Sequence, residues 1–170
     1  PERMTDPYHL YALELRHKHV PEMQRYSGLA HAPVFAPAYA NFPQGMLVQL
    51  CLQLWSLPKR PSGRDLHAAL SERYAGQRFV QVMPFDAQLP LDALGQPVLS
   101  PTGLVGSNVL ELYVFDNPAT DQALLVARLD NLGKGASGAA VQNLDLMLDL
   151  PGERSYALGE AGREPALASA

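Results

Sequence analysis

Residues 46–57 read Met-Leu-Val-Gln-Leu-Cys-Leu-Gln-Leu-Trp-Ser-Leu, a long apolar run without glycine or proline. Gln49, Cys51, Gln53 and Trp55 alternate with Val48, Leu50, Leu52 and Leu54, the period of two that belongs to a sheet strand and not to a helix. A chain holding such a strand must supply it with partners. Phe79–Met83, Val109–Phe115 and Ala123–Leu129 are the candidates, the last two joined around Asp116-Asn117-Pro118 as a hairpin. Between the strands lie helix signals. Pro58 and Pro61 stop the first run, and Ser62 caps a helix with Leu66, Ala69, Leu70 and Tyr74 on one face and Gly76 at its end. Pro21 followed by Glu22 marks another helix start, carrying Met23 and Tyr26 and ending at Gly28. A last helix is expected over 137–148. Pro33–Tyr39 is punctuated by prolines and belongs at an edge, Tyr8–Leu15 is ambiguous between strand and helix, and 84–106 is a long loop. The pattern predicts an α+β domain over 1–150, with a mixed, largely antiparallel sheet covered by helices on one face and a disordered tail over 151–170.

With 170 residues the chain suits one domain, and a net charge of -4 without long runs of either sign speaks against nucleic-acid or anionic-membrane partners. No apolar run is long enough to span a bilayer and the opening lacks a signal peptide's hydrophobic stretch, so the cytoplasm is the expected setting. The first residue is Pro1 and not Met, which points to processing or to a piece of a longer chain. The single cysteine, Cys51, has no helix start beside it to hold a thiolate and is expected as a packed core thiol.

The densest chemical signal is Asp130-Asn131-Leu132-Gly133-Lys134-Gly135-Ala136-Ser137-Gly138, a glycine-rich loop leading from a strand into a helix. Backbone amides at such a place suit an anion, and Gly133, Gly135 and Gly138 fit the G-x-G-x-x-G spacing. The continuation does not supply the second strand and the acidic residue that a dinucleotide fold needs, and the Walker A spacing is absent. The loop therefore reads as a lid or clamp over a ligand held elsewhere, with Lys134 placed to meet a phosphate. A second cluster is His17, His19 and Glu22, suited to general acid or base work or to metal ligation. No cysteine lies near it, and no metal is assigned.

The block from Asp130 to Leu144, ending Gly-Ala-Ala-Val-Gln-Asn-Leu, closely resembles the C-terminal signature of the N-acetyl-gamma-glutamyl-phosphate reductase family. In the same order, His17-Lys18-His19-Val20-Pro21-Glu22 is similar to that family's histidine motif, Asn41-Phe42-Pro43-Gln44-Gly45-Met46 to its mid-domain turn, and Gly106-Ser107-Asn108 to the turn before its late strands. The resemblance implies the fold of the C-terminal domain of glyceraldehyde-3-phosphate-dehydrogenase-like reductases. It also implies an NADP-dependent reduction of an acyl phosphate to an aldehyde through a cysteine thioester, with His17 or His19 moving the proton. Asn131, Lys134, Gly135 and Ala136 would approach NADP, and Glu22, Gly106, Ser107 and Asn108 the acyl-phosphate substrate. The family's catalytic Gly-Cys segment does not occur here, and Cys51 does not match it. The chain thus resembles the dimerisation and substrate domain with its returning C-terminal helix, whose partners would be a nucleotide-binding domain upstream and a second copy. On this reading Ala140, Leu144, Met147 and Leu148 should be partly uncovered. The rival expectations are a stand-alone oligomerisation or substrate-binding module without catalysis, and a metal-dependent hydrolase built on His17, His19 and Glu22.

Overall fold

A computed structural model describes residues 6–150; the tail expected over 151–170 lies outside the described residues. The chain divides after Pro43 into two compact units. In the first, a short antiparallel pair is made by β1 (Tyr8–Leu10) and β2 (Ala38–Ala40), with Tyr8 opposite Ala40. Between them runs α1 (His19–Ser27), which begins two residues before the expected proline and ends at Gly28 with φ 70°. That left-handed turn is open to glycine without a Cβ penalty. The ambiguous stretch after Tyr8 is a strand only as far as Leu10, and His17 and His19 do not share a strand: His17 precedes α1 and His19 opens it.

The second unit holds a four-stranded sheet in the order β3-β6-β5-β4. Its strands are β3 (Met46–Gln53), β4 (Val80–Val82), β5 (Leu110–Asn117) and β6 (Gln122–Leu129). β3, β6 and β5 are antiparallel neighbours, while β4 runs parallel to β5. The fold is α+β with a mixed, largely antiparallel sheet, as the alternation predicts. β3 ends earlier than the apolar run does, because Leu54–Ser56 turn into a 3-10 helix whose Leu54 is buried and donates its amide to the Asp121 carbonyl at 2.8 Å. The hairpin turn also sits further along than Asp116-Asn117-Pro118: Asn117 still pairs with Gln122, and the reversal uses 118–121 with Asp121 at φ 54°.

Helix α2 (Gly63–Arg73) packs against β5 and β4. Ser62 closes its first turn, accepting from the Asp65 amide at 3.2 Å while the Asp65 carboxylate accepts from the Ser62 amide at 2.8 Å, a capping box. Gly63 lets the helix start touch β5, for a Cβ there would lie 2.5 Å from Asp116 Cβ. An alanine in a helix is ordinarily stabilising. Here Gly63→Ala is expected to lower stability by about 1–3 kcal/mol through overpacking, read as a lower urea midpoint; an unchanged or raised midpoint would show that α2 shifts freely on the sheet.

The pleat sends Glu111, Tyr113 and Phe115 to one face and Val114 and Asp116 to the other. Arg128 lies directly opposite Glu111 and donates to Glu111 Oε2 from Nε at 2.7 Å and from Nη2 at 2.5 Å, with both side chains largely buried. The Tyr113 hydroxyl donates to the same oxygen at 2.8 Å and accepts from Arg128 Nη2 at 2.9 Å. Burial, with the bond to Glu111, pushes the Tyr113 phenol up to about 12. The 3-10 turn Pro101–Leu104 covers this network, with Gly103 against the guanidinium.

Cys51 is exposed, contrary to the core thiol expected from its apolar neighbours. The reason is position: β3 is an edge strand, and Val48 and Leu50 beside it are exposed as well. The last helix, α3 (Gly138–Met147), leaves Leu144, Met147 and Leu148 exposed, as the family resemblance led one to expect. No helix among the described residues is long and apolar enough to cross a membrane.

Candidate functional site

The glycine loop starts where β6 ends. Asp130, the first residue past the strand, is 1% exposed. Its Oδ2 accepts from the Gly106 amide at 2.7 Å and from Gln44 Nε2 at 2.9 Å, and its Oδ1 from the Leu132 amide at 2.9 Å. Burial alone would raise this carboxyl's pKa, but the amides of Gly106, Leu132 and Gly133 and the Gln44 side chain together hold it below the usual carboxylate value. The acid is therefore ionised at neutral pH. Asn131 Oδ1 accepts from the Gly45 amide at 2.7 Å, a second tie between the loop and the turn before β3.

Past these anchors the chain does not enter an α-helix directly. Gly133–Ser137 form a π-helical turn, with the Gly135 amide reaching the Asp130 carbonyl at 2.9 Å and the Ser137 amide the Leu132 carbonyl at 3.0 Å. The glycines serve close approach: a Cβ at Gly133 would lie 2.6 Å from the Ser107 carbonyl oxygen, and one at Gly138 would collide with Asn108 Oδ1. Asn108 is 3% exposed and donates from Nδ2 to Gln142 Oε1 at 3.3 Å, while its Oδ1 is buried without a hydrogen-bond partner among the described residues. Between loop and turn is a cavity of about 190 Å³ bounded by Gln44, Ser107, Asn108, Asp130, Leu132 and Gly138, among others. Whole-ligand pockets start at about 300 Å³, so this one has room for a single ring or a small group.

The expected residues separate into groups. Gly106, Ser107 and Asn108 line the cavity. Asn131, Lys134, Gly135 and Ala136 belong to the loop but do not bound the cavity. Lys134 is turned inward, donating to Gln142 Oε1 at 2.8 Å with Nζ 5.6 Å from the Phe79 ring centre. Burial lowers its amine pKa. Gln44 and Asp130 are the residues that sequence reasoning passed over; their signal was there, since both sit inside the quoted motifs.

His17, His19 and Glu22 belong to the first unit. Glu22 is exposed in the first turn of α1. The His17 ring makes edge contacts with Tyr11, His19 and Phe35 at 5.7, 4.8 and 5.1 Å between centroids. Its Nδ1 accepts from the His19 amide at 3.2 Å. A ring nitrogen that accepts carries no proton, so the neutral imidazole of His17 holds its hydrogen on Nε2.

Comparison with known proteins decides the family. The model of the semialdehyde dehydrogenase dimerisation domain matches residues 1–131, most of the chain. The chain belongs to that family. Within it, the chain is similar to N-acetyl-gamma-glutamyl-phosphate reductase 2 of Nostoc sp. and to N-acetyl-gamma-glutamyl-phosphate reductase of Trichormus variabilis, each 53% identical over 148 residues that make 86% of this chain and 45% of the relative. The enzyme of that name from Sinorhizobium fredii is 49% identical over 148 residues, 86% of this chain and 46% of its own length. The chain thus spans less than half the length of these curated relatives. The α+β architecture is consistent with a semialdehyde dehydrogenase dimerisation domain, and the family resemblance read from the sequence motifs is borne out.

Proposed function

We propose that this chain is the dimerisation and substrate portion of a longer reductase that converts N-acetyl-gamma-glutamyl phosphate to the corresponding semialdehyde, working in the cytoplasm as a homo-oligomer. The observation that carries the reading is identity of about half over 86% of the chain to relatives with that name. The net reaction takes up a hydride and a proton and releases phosphate, and NADPH bound by the whole protein would supply the hydride. The thiol that attacks the acyl phosphate belongs, on this reading, to the part of the reductase outside this chain, for Cys51 lies on an edge strand and does not match the family's cysteine segment.

The residues present fit such a role. Asn131, Lys134, Gly135 and Ala136 would lie along the cofactor, with Gly106, Ser107, Asn108 and Glu22 toward the acyl phosphate. The buried Asn108 Oδ1 and the close approach at Gly138 describe a loop shaped by tight contacts and not by bulky side chains. In its neutral form His17 presents an Nε2–H that can donate a hydrogen bond to the oxygen on which charge builds as the hydride arrives; a proton itself would pass from the imidazolium form, which returns to the neutral ring. Exposed apolar residues on β3, Val48 and Leu50, are the kind of surface a second copy covers.

The test is direct. The whole protein carrying this chain is expected to oxidise NADPH and release inorganic phosphate in equal amounts when given N-acetyl-gamma-glutamyl phosphate, and to do neither with the unphosphorylated acid. NADPH oxidation that is absent, or that proceeds without phosphate release, would remove the reading.

A further inference from the structure

We propose that Asp130 is the positioning residue of the glycine loop: its carboxylate gathers the Gln44 side chain and the Gly106 and Leu132 amides, fixing the loop in the shape that meets the cofactor. What the loop meets rests on the function proposed above. That Asp130 shapes it rests on geometry. One side chain takes donors from three separate stretches, the turn before β3, the turn before β5 and the loop itself. Asp130 makes no ion pair among the described residues, so the donors oriented on it are what offset its buried charge.

The other ties of the loop are polar as well, Asn131 Oδ1 to the Gly45 amide and Lys134 Nζ to Gln142 Oε1. None of the residues 133–137 is buried, so no apolar side chain anchors the π-helical turn in the core. The Ser137 hydroxyl donates to the Leu132 carbonyl at 2.7 Å, a contact internal to the loop. The cavity wall at Leu132 is therefore set by where its amide finds the carboxylate. An amide in place of the acid cannot do the same work. Oδ2 receives two donors, the Gly106 amide and Gln44 Nε2, and Oδ1 receives the Leu132 amide. An asparagine NH2 placed on either side would face an N–H.

The experiment uses the whole protein carrying this chain and compares Asp130→Asn and Gln44→Met with the parent by hydrogen exchange and by steady-state kinetics. In Asp130→Asn the amides of 132–137 are expected to exchange faster while those of β5 and β6 keep their protection, and KM for NADPH is expected to rise at least roughly tenfold with a smaller change in kcat. Gln44→Met, which leaves the carboxylate in place, is expected to move loop exchange the same way and less; it carries the test should Asp130→Asn not fold. Unchanged loop exchange in the variants overturns the proposal. Faster loop exchange with KM for NADPH unchanged also overturns it, since Asp130 would then be a structural tie alone. A parent protein without reductase activity is a different failure: it removes the proposed function, while exchange still reports whether Asp130 shapes the loop.

Discussion

Replacing Arg128 by methionine is expected to lower the free energy of unfolding by about 3–5 kcal/mol, because it leaves a buried carboxylate without its cation. Glu111 Oε2 is the focus of two Arg128 nitrogens and the Tyr113 hydroxyl, and in Arg128→Met only the phenol remains. The acid must then either stay charged at high cost or take up a proton. The double variant Arg128→Met with Glu111→Leu removes both charges together and should recover most of the loss, as buried ion pairs often give way to apolar residues at little cost. Urea unfolding of both proteins measures the difference. A loss below ~1 kcal/mol in the single variant would mean that water reaches the pair, as at exposed salt bridges.

The second large effect concerns the two histidines, and it depends on the reductase reading. In the whole protein, His17→Asn is expected to reduce kcat by about 10²–10⁴-fold, the usual contribution of a positioned proton carrier. His19→Asn should act mainly on KM. The asymmetry comes from the structure: His17 is enclosed by the Tyr11 and Phe35 rings and its Nδ1 is engaged by the His19 amide, which leaves Nε2 as the ring nitrogen available to the reacting oxygen. His19 is exposed, and what it gives His17 is its backbone amide, which asparagine retains. If His19→Asn depresses kcat by that factor and His17→Asn does not, the roles are exchanged.

Local chemistry was legible in the sequence and non-local position was not. The Ser62 cap, the helix end at Gly28 and the alternation of β3 are all set within a few residues, and each is found where the pattern places it. Leu54–Leu57 extend the same apolar pattern yet leave the sheet, because the Leu54 amide is taken by a carbonyl far along the chain, that of Asp121. The exposure of Cys51 likewise depends on strand order, which periodicity does not encode. That Glu111 and Arg128 face each other is set by the strand register, between residues 17 apart in the chain. In the candidate site, the motif marks the loop between β6 and α3 but not which way its side chains turn. The inward turn of Lys134 toward Gln142 and the hub at Asp130 are tertiary facts.

The π-helical turn at Gly133–Ser137 separates the length of the loop from the direction of the helix that follows it. Each bond in it spans one residue more than an α-helical bond, so the turn stores a single extra residue just ahead of α3. One residue fewer, closed with α-helical bonds, would sweep nearly the same arc. Leu144 and Met147, now exposed, would keep their direction. The turn is in effect slack taken up in the chain: it lets the loop carry one more residue past Asp130 while the apolar stripe of α3 holds its compass bearing.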